Sequence, residues 1–277
     1  MTAPLGQLLS DSWGSFRRAL MPIVIGAVIF GLIMAVGQSF IGKRMVQKTG
    51  SVFEGFGYDQ QQMVDLQRRI QAGDEAAMNE FTQKMEELGG AQGEAVSGAV
   101  LSLYKGLLPV LGASMLIMWL ISLIASAYFL LIALDGKLSF QTALARTPGI
   151  IIPLFLLSLW IAIRSFIWIP ILGIILAIVL GPRFVLAPVL LARDHKGVLE
   201  SASMSYAKTA GYWGKIFGNL FVAIVGVMIA SIVLGVIVGI LGVSAAAIVM
   251  PILNMLATAF VTIFVVRLSA TILTNAR

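Results

Sequence analysis

From Ile216 to Val266 no residue carries a charge. Between Ile150 and Ala192 only Arg164 and Arg183 interrupt an equally apolar run. One helix over that second run would be about 65 Å long at 1.5 Å per residue, about twice the hydrocarbon thickness of a bilayer. Each run must therefore fold back on itself. The breaks are predicted at Arg164–Pro170 and at Gly242-Val243-Ser244, the latter carrying a turn-forming glycine. Water cannot be the only solvent. Hydrophobic residues make up 59% of the chain and charged residues 12%, with a mean hydropathy of +0.97, whereas a soluble domain is about a quarter charged. The expected fold is an all-α polytopic transmembrane bundle of six spans. These are Ala19–Ile41, Leu107–Leu134, Ile150–Phe166, Ile171–Ala192, Ile216–Leu241 and Ala245–Val266.

Three regions follow. Residues 1–41 hold an amphipathic helix and the first span. In it Leu5, Leu8, Leu9, Trp13 and Phe16 share one face, the pattern of a helix lying in the membrane interface. Residues 42–105 hold most of the acids and read as a soluble extracytoplasmic helical insert. Apolar residues at three- and four-residue spacing predict helix over 58–88, broken at Gly73-Asp74 with Asp74 as N-cap. The flanks Gly50–Gly57 and Gly89–Gly98 read as hinges. Its carboxylates fit a solvated face better than a metal or catalytic site, and 58–88 is the expected docking element for a protein partner. Residues 106–277 hold spans two to six with amphipathic connectors. Small residues recur every fourth position at Ala27/Gly31/Ala35, at Gly173/Ala177/Gly181 and at Gly235/Gly239, the pattern of close helix contact.

With six spans both termini share one side. That side collects Arg17, Arg18, Lys137, Arg146, Arg193, Lys196, Lys208, Lys215, Arg267 and Arg277 against four acids, so both termini are predicted to face the cytoplasm of a cell membrane. Lys43, Arg44 and Lys48 oppose this in smaller number. The net charge of +6 is explained by these flanks and does not call for nucleic acid. The chain has no cysteine, which excludes disulfides and thiolate metal sites.

Trp13-Gly14 with Leu20 matches Trp213-Gly214 with Leu220, and Ala145-Arg146-Thr147 matches Ala207-Lys208-Thr209 in pattern. The chain thus reads as a threefold repeat of an amphipathic helix plus a span pair. Trp13, Arg17, Arg18, Lys208, Trp213 and Lys215 are the expected interfacial anchors, the indoles at headgroup depth and the cations on anionic lipid phosphate. The order of helices, with Arg183-Phe184-Val185-Leu186-Ala187-Pro188, Ser205-Tyr206-Ala207-Lys208-Thr209 and Tyr212-Trp213-Gly214-Lys215-Ile216-Phe217-Gly218, resembles the six-span membrane domain fused to some bacterial and archaeal glycerophosphodiester phosphodiesterases. Its stand-alone relatives look similar. The resemblance covers most of 1–40 and 105–275 and departs at the acidic insert. It implies a membrane component, in envelope maintenance or transport, and does not bring the enzyme. That activity belongs to a separate barrel with clustered His, Glu and Asp, and this chain has one histidine, His195.

No phosphate-binding loop and no nucleophile elbow is present, and the predicted spans contain no Asp or Glu. Catalysis and cofactors are not expected, and a proton-coupled carrier is disfavoured. Arg183, beside Pro182, is the charge to explain: at such depth it costs about 2.5–3.5 kcal/mol on insertion scales. Either it snorkels to lipid phosphate, or it contacts an anion or lipid headgroup inside the bundle, where Pro182 frees a carbonyl. Asn254, beside Pro251, either bonds a neighbouring helix or lines the same cavity. The expected function is a non-enzymatic membrane protein that binds lipid, anionic lipid included, or a partner in envelope organisation. The alternative is a transporter or channel subunit with a cavity near Arg183 and Asn254.

Overall fold

A computed structural model describes residues 4–54, 74–80, 93–166, 170–240 and 242–275, with single positions between 62 and 83. Among the described residues the chain is helical, without strands. In chain order the helices are α1 (Leu5–Arg18), α2 (Leu20–Glu54), α3 (Gly93–Leu134), α4 (Phe140–Arg146), α5 (Pro148–Phe166), α6 (Pro170–Phe184), α7 (Ala187–Asp194), α8 (Val198–Lys208), α9 (Trp213–Ile240) and α10 (Val243–Asn275). Four stretches are long and apolar enough to cross a membrane: Leu20–Arg44, Leu108–Leu134, Trp213–Ile240 and Ser244–Thr274. A fifth is obtained if α4 and α5, bent by 56° at Thr147, count as one.

The expected third and fourth spans are where sequence and structure differ most. The helices stop on either side of the break expected at Arg164–Pro170, α5 ending at Phe166 and α6 starting at Pro170, with 167–169 outside the described residues. However, Ile171–Ala192 is not one helix. It is α6, of 15 residues, then a turn at Val185 and Leu186, then α7. Pro182 and Pro188 flank that turn, and neither offers an N–H to continue the ladder. At 1.5 Å per residue α6 is about 22 Å long, short of a hydrocarbon core of about 30 Å.

The chain divides into two compact units, Met1–Ala35 with Trp119–Arg277, and Val36–Met118. In the first unit α10 is the common post of three buried clusters. One joins Ile23, Ala27 and Phe30 of α2 to Tyr128 and Phe129 of α3 and to Ala259 and Ile263 of α10. A second joins Leu154 and Leu157 of α5 to α3, α7 and Val266. The third seats Leu8 of α1 and Ile216 of α9 on Phe264, Leu268 and Ile272. Small residues permit the first of these. A Cβ on Gly31 would lie 2.6 Å from the Ile252 Cα, so α2 and α10 meet backbone to backbone. A Cβ on Gly26 would collide with the Tyr128 ring, whose hydroxyl donates to the Pro22 carbonyl at 2.6 Å. The stripe on α9 behaves differently. A Cβ added to Gly226 or Gly239 would meet no atom within 4 Å, and one on Gly235 would meet only the end of the Met250 side chain. The Gly235/Gly239 pair therefore makes no close helix crossing among the described residues.

The apolar face of α1 is covered by the protein itself. Leu8 and Phe16 are buried against α10 and its neighbours, while Trp13 stacks on Phe16 at 5.7 Å and remains half exposed. Outward faces elsewhere are apolar. Met21, Met115 and Ile152 are exposed, Ile240 is 81% exposed, and on α9 only Ile216, Ala223 and Val238 are buried.

In the second unit, α2 and α3 run on into the region expected to be loop. Residues 50–54 and 93–98 are helical rather than hinges, because no proline interrupts either stretch and a glycine costs a helix only about 1 kcal/mol. Asp74 is an N-cap: its Oδ1 accepts from the Ala76 and Ala77 amides at 3.0 and 3.2 Å. Arg69 donates to its other oxygen at 2.8 Å. Leu66 and Ala77 are buried as their spacing predicts. Most of 58–88, and positions 55–57 and 89–92, lie outside the described residues.

Candidate functional site

The break between α6 and α7 leaves backbone groups without helical partners, and α8 supplies them. Ser205 Oγ donates to the Arg183 carbonyl at 2.6 Å and accepts from the Leu186 amide at 3.2 Å. Thr209 Oγ1 lies 3.2 Å from the same carbonyl and 2.8 Å from that of Ser205, sharing its one hydrogen. Both side chains are fully buried. The phrase Ser205-Tyr206-Ala207-Lys208-Thr209 thus places two hydroxyls one helical turn apart on the face that meets the break. Tyr206, between them, carries the Arg183 guanidinium over its ring at 5.2 Å. One turn earlier on α6, the Val179 carbonyl accepts from Trp213 Nε1 at 2.8 Å.

Arg183 is therefore in the last turn of α6, half-buried beside Tyr206, and not in the middle of a continuous helix. Asn254 is exposed on α10, its carbonyl accepting from Thr258 Oγ1 at 2.8 Å. Neither lines any of the three described cavities. The two repeated tryptophans differ in setting. Trp213 opens α9 and stacks on Phe217 at 5.1 Å, whereas Trp13 is inside α1, against Phe16 and Phe260. The Ala-basic-Thr phrases do match. Arg146 and Lys208 each end a short helix, and the buried Thr147 and Thr209 that follow bond back to the carbonyl four residues earlier. Arg17 and Arg18 end α1 in exposed positions, and Lys215 is exposed in the first turn of α9.

Two of the three described cavities lie where α1, α3 and α4 end. One of about 520 Å³ is lined by Arg18, Lys137 and Arg267, with Asp135 and Ser15. A neighbour of about 560 Å³ shares Leu134 and Asp135 and adds Arg146, Arg193 and His195. His195 is the left-handed C-cap of α7, with φ of 50°. Beside it Arg193 pairs with Asp194 at 2.7 Å and holds that carboxyl below the usual carboxylate range. A third cavity, of about 300 Å³, lies between α3, α5, α7 and α10; its lining includes Ser122, Ser126, Ser158 and Thr262, the last donating its hydroxyl to the Thr258 carbonyl at 2.8 Å.

No known protein family, curated protein or solved structure matches the chain. What can be said of function therefore comes from its own residues. Sequence reasoning counted Arg18, Lys137 and Arg267 as flanking charges of separate spans. Their convergence had one signal in the chain, that all three sit at helix ends assigned to the same side. The bridging role of Ser205 and Thr209 had none beyond the recurrence of the phrase that contains Thr209.

Proposed function

We propose that the chain is a non-enzymatic integral membrane protein that binds lipid, and through it or a protein partner organises the membrane in which it sits. The observation that carries this reading is the apolar outward surface of α2, α3, α9 and α10 along lengths that match a bilayer. Lipid is the one solvent in which such a surface costs nothing. The six-span reading counts α5 as the third span and α6 with α7 as a broken fourth. Its support is that Ser205 and Thr209 satisfy the break from within the protein, as irregular backbone at membrane depth requires. The three short helices α1, α4 and α8, each ending in a basic residue and each followed by a longer apolar helix, support the threefold arrangement. Both termini are proposed to face the cytoplasm, Arg183 to reach anionic lipid, and residues 58–88 to meet a protein partner. The resemblance to the membrane domain of glycerophosphodiester phosphodiesterases accords with a role in the cell envelope.

The test has two parts. Membranes from cells producing the chain are washed with alkaline carbonate; release into the supernatant would sink the integral reading. Because the chain has no cysteine, single cysteines at Gln141, Ser203 and Thr82 report topology against a clean background. Thr82→Cys should react with an impermeant maleimide in intact cells, and the other two only after lysis. The reverse pattern would invert the orientation.

A second reading, as a transporter or channel subunit, is favoured by the cavity between α3, α5, α7 and α10, whose mostly apolar lining includes Ser122, Ser126, Ser158 and Thr262. Substrate-dependent flux in proteoliposomes that is lost in Ser126→Leu would support it over the first.

A further inference from the structure

Three elements aim cations at one cavity. Arg18 is the last residue of α1, Lys137 is in the turn after α3, and Arg267 is in the C-terminal part of α10. None of the three makes an ion pair among the described residues. Arg18 reaches only the Ser15 hydroxyl, at 3.3 Å. Arg267 Nε is buried and, among the described residues, has no hydrogen-bond partner. The one carboxylate in the lining, Asp135, accepts from the Lys137 backbone amide at 3.2 Å, which orients it on its own turn. Three positive side chains and one negative leave a formal charge of two positive in about 520 Å³.

An unpaired guanidinium N–H inside a helix bundle is costly, and a chain that keeps one there points to an anion that pairs it. Guanidinium groups favour oxyanions that accept two parallel bonds, and three donors from separate directions suit a tetrahedral anion of two negative charges. Depth agrees. The cavity lies where the apolar stretch of α2 begins and that of α3 ends, the level at which spans meet headgroup phosphates.

We propose that Arg18, Lys137 and Arg267 form a binding site for a phosphate monoester or free phosphate dianion. This site is separate from Arg183. It deepens the lipid-binding reading and rests on it only for the lipid as source.

The test uses the full chain, purified and placed in phosphatidylcholine nanodiscs, with two probes. Inorganic phosphate is titrated at constant ionic strength against chloride, with intrinsic tryptophan fluorescence or heat as readout. Separately, nanodiscs are prepared with phosphatidic acid at increasing mole fraction, and retained lipid is counted by native mass spectrometry. Variants are Arg267→Gln and Lys137→Gln, the latter in an exposed turn where folding is not at stake, with Arg164→Gln as a cation outside the cavity. Loss of one charge-assisted contact should weaken binding about tenfold or more in both cavity variants and leave Arg164→Gln unchanged. Saturable phosphate binding with that pattern identifies a soluble anion. Retention of phosphatidic acid alone with that pattern identifies a lipid headgroup. Either supports the site. Equal binding by Lys137→Gln and wild type, equal loss in Arg164→Gln, or no binding of either probe by wild type overturns it. Release of the chain by carbonate would remove the lipid source and leave the phosphate titration able to decide the site.

Discussion

Gly31→Ala tests the packing of α2 on α10 directly. The added Cβ would stand 2.6 Å from the Ile252 Cα, 2.7 Å from its Cγ1 and 2.8 Å from its amide nitrogen. Two of those three atoms are backbone, so no rotamer change relieves the clash. Ordinary contact begins at 3.4 Å, so the helices must separate by about 1 Å locally. Overpacking of this kind costs about 1–3 kcal/mol. Alanine also favours helix over glycine by about 0.8–1.0 kcal/mol, which offsets part of it. Gly226→Ala, on α9 with no atom within 4 Å of the new Cβ, carries the propensity gain without the clash. The difference between the two variants therefore isolates the packing cost at about 1–3 kcal/mol. Both would be unfolded in mixed micelles by increasing dodecyl sulfate, followed by circular dichroism. Gly226→Ala should match or exceed wild type and Gly31→Ala should fall below it. Equal stability of the two variants would refute the backbone contact, and with it the central position of α10.

Ser205→Ala should destabilise by about 1–3 kcal/mol in the same assay, because the buried Leu186 amide loses its side-chain partner and the Arg183 carbonyl keeps only the longer contact to Thr209 Oγ1. Trp213→Phe keeps the ring on Phe217 but removes the bond to the Val179 carbonyl, so about 0.5–1.5 kcal/mol should be lost; Trp13→Phe, whose indole stacks without that bond, should cost less. Arg69 and the Ala77 amide hold the Asp74 carboxyl below its ordinary value. The cap's contribution is thus complete above the usual carboxylate range, about pH 3.9, and lost as pH falls through the lowered value. Protection of the Ala76 and Ala77 amides, taken relative to the intrinsic exchange rate at each pH, should persist just below that range and fall on further acidification, whereas in Asp74→Ala it should be low even at neutral pH.

Much of the helix layout was legible because lipid and water impose length and polarity on a segment independently of its neighbours. Ala19–Ile41, Leu107–Leu134, Ile216–Leu241 and Ala245–Val266 correspond to four long apolar stretches in the structure, and Gly242 breaks the last pair with φ of 99°. Asp74 as a cap was legible for the same reason, since capping is satisfied within three residues. The small-residue stripes show the limit of that reasoning. Gly31 is pressed against α10 and Gly239 faces open space, although both sit in small-residue stripes of the same four-residue spacing. Which stripe meets another helix depends on where that helix is, and local spacing carries no record of it. The break within Ile171–Ala192 was hidden for a related reason. Pro182 and Pro188 permit a turn, but an apolar turn is tolerable only if something distant satisfies it, and that something is Ser205 and Thr209.

The sequence by itself determined the solvent, the helical class, the positions of four long apolar stretches and the cap at Asp74, because these depend on transfer free energies and on hydrogen bonds made within a turn or two. Tertiary structure alone decided that α10 is the common post, that α8 closes the break between α6 and α7, and that Arg18, Lys137 and Arg267 share one cavity. Those facts join residues 19 to 249 positions apart, and only the folded chain brings such residues within the few ångströms over which hydrogen bonds, packing and charge act.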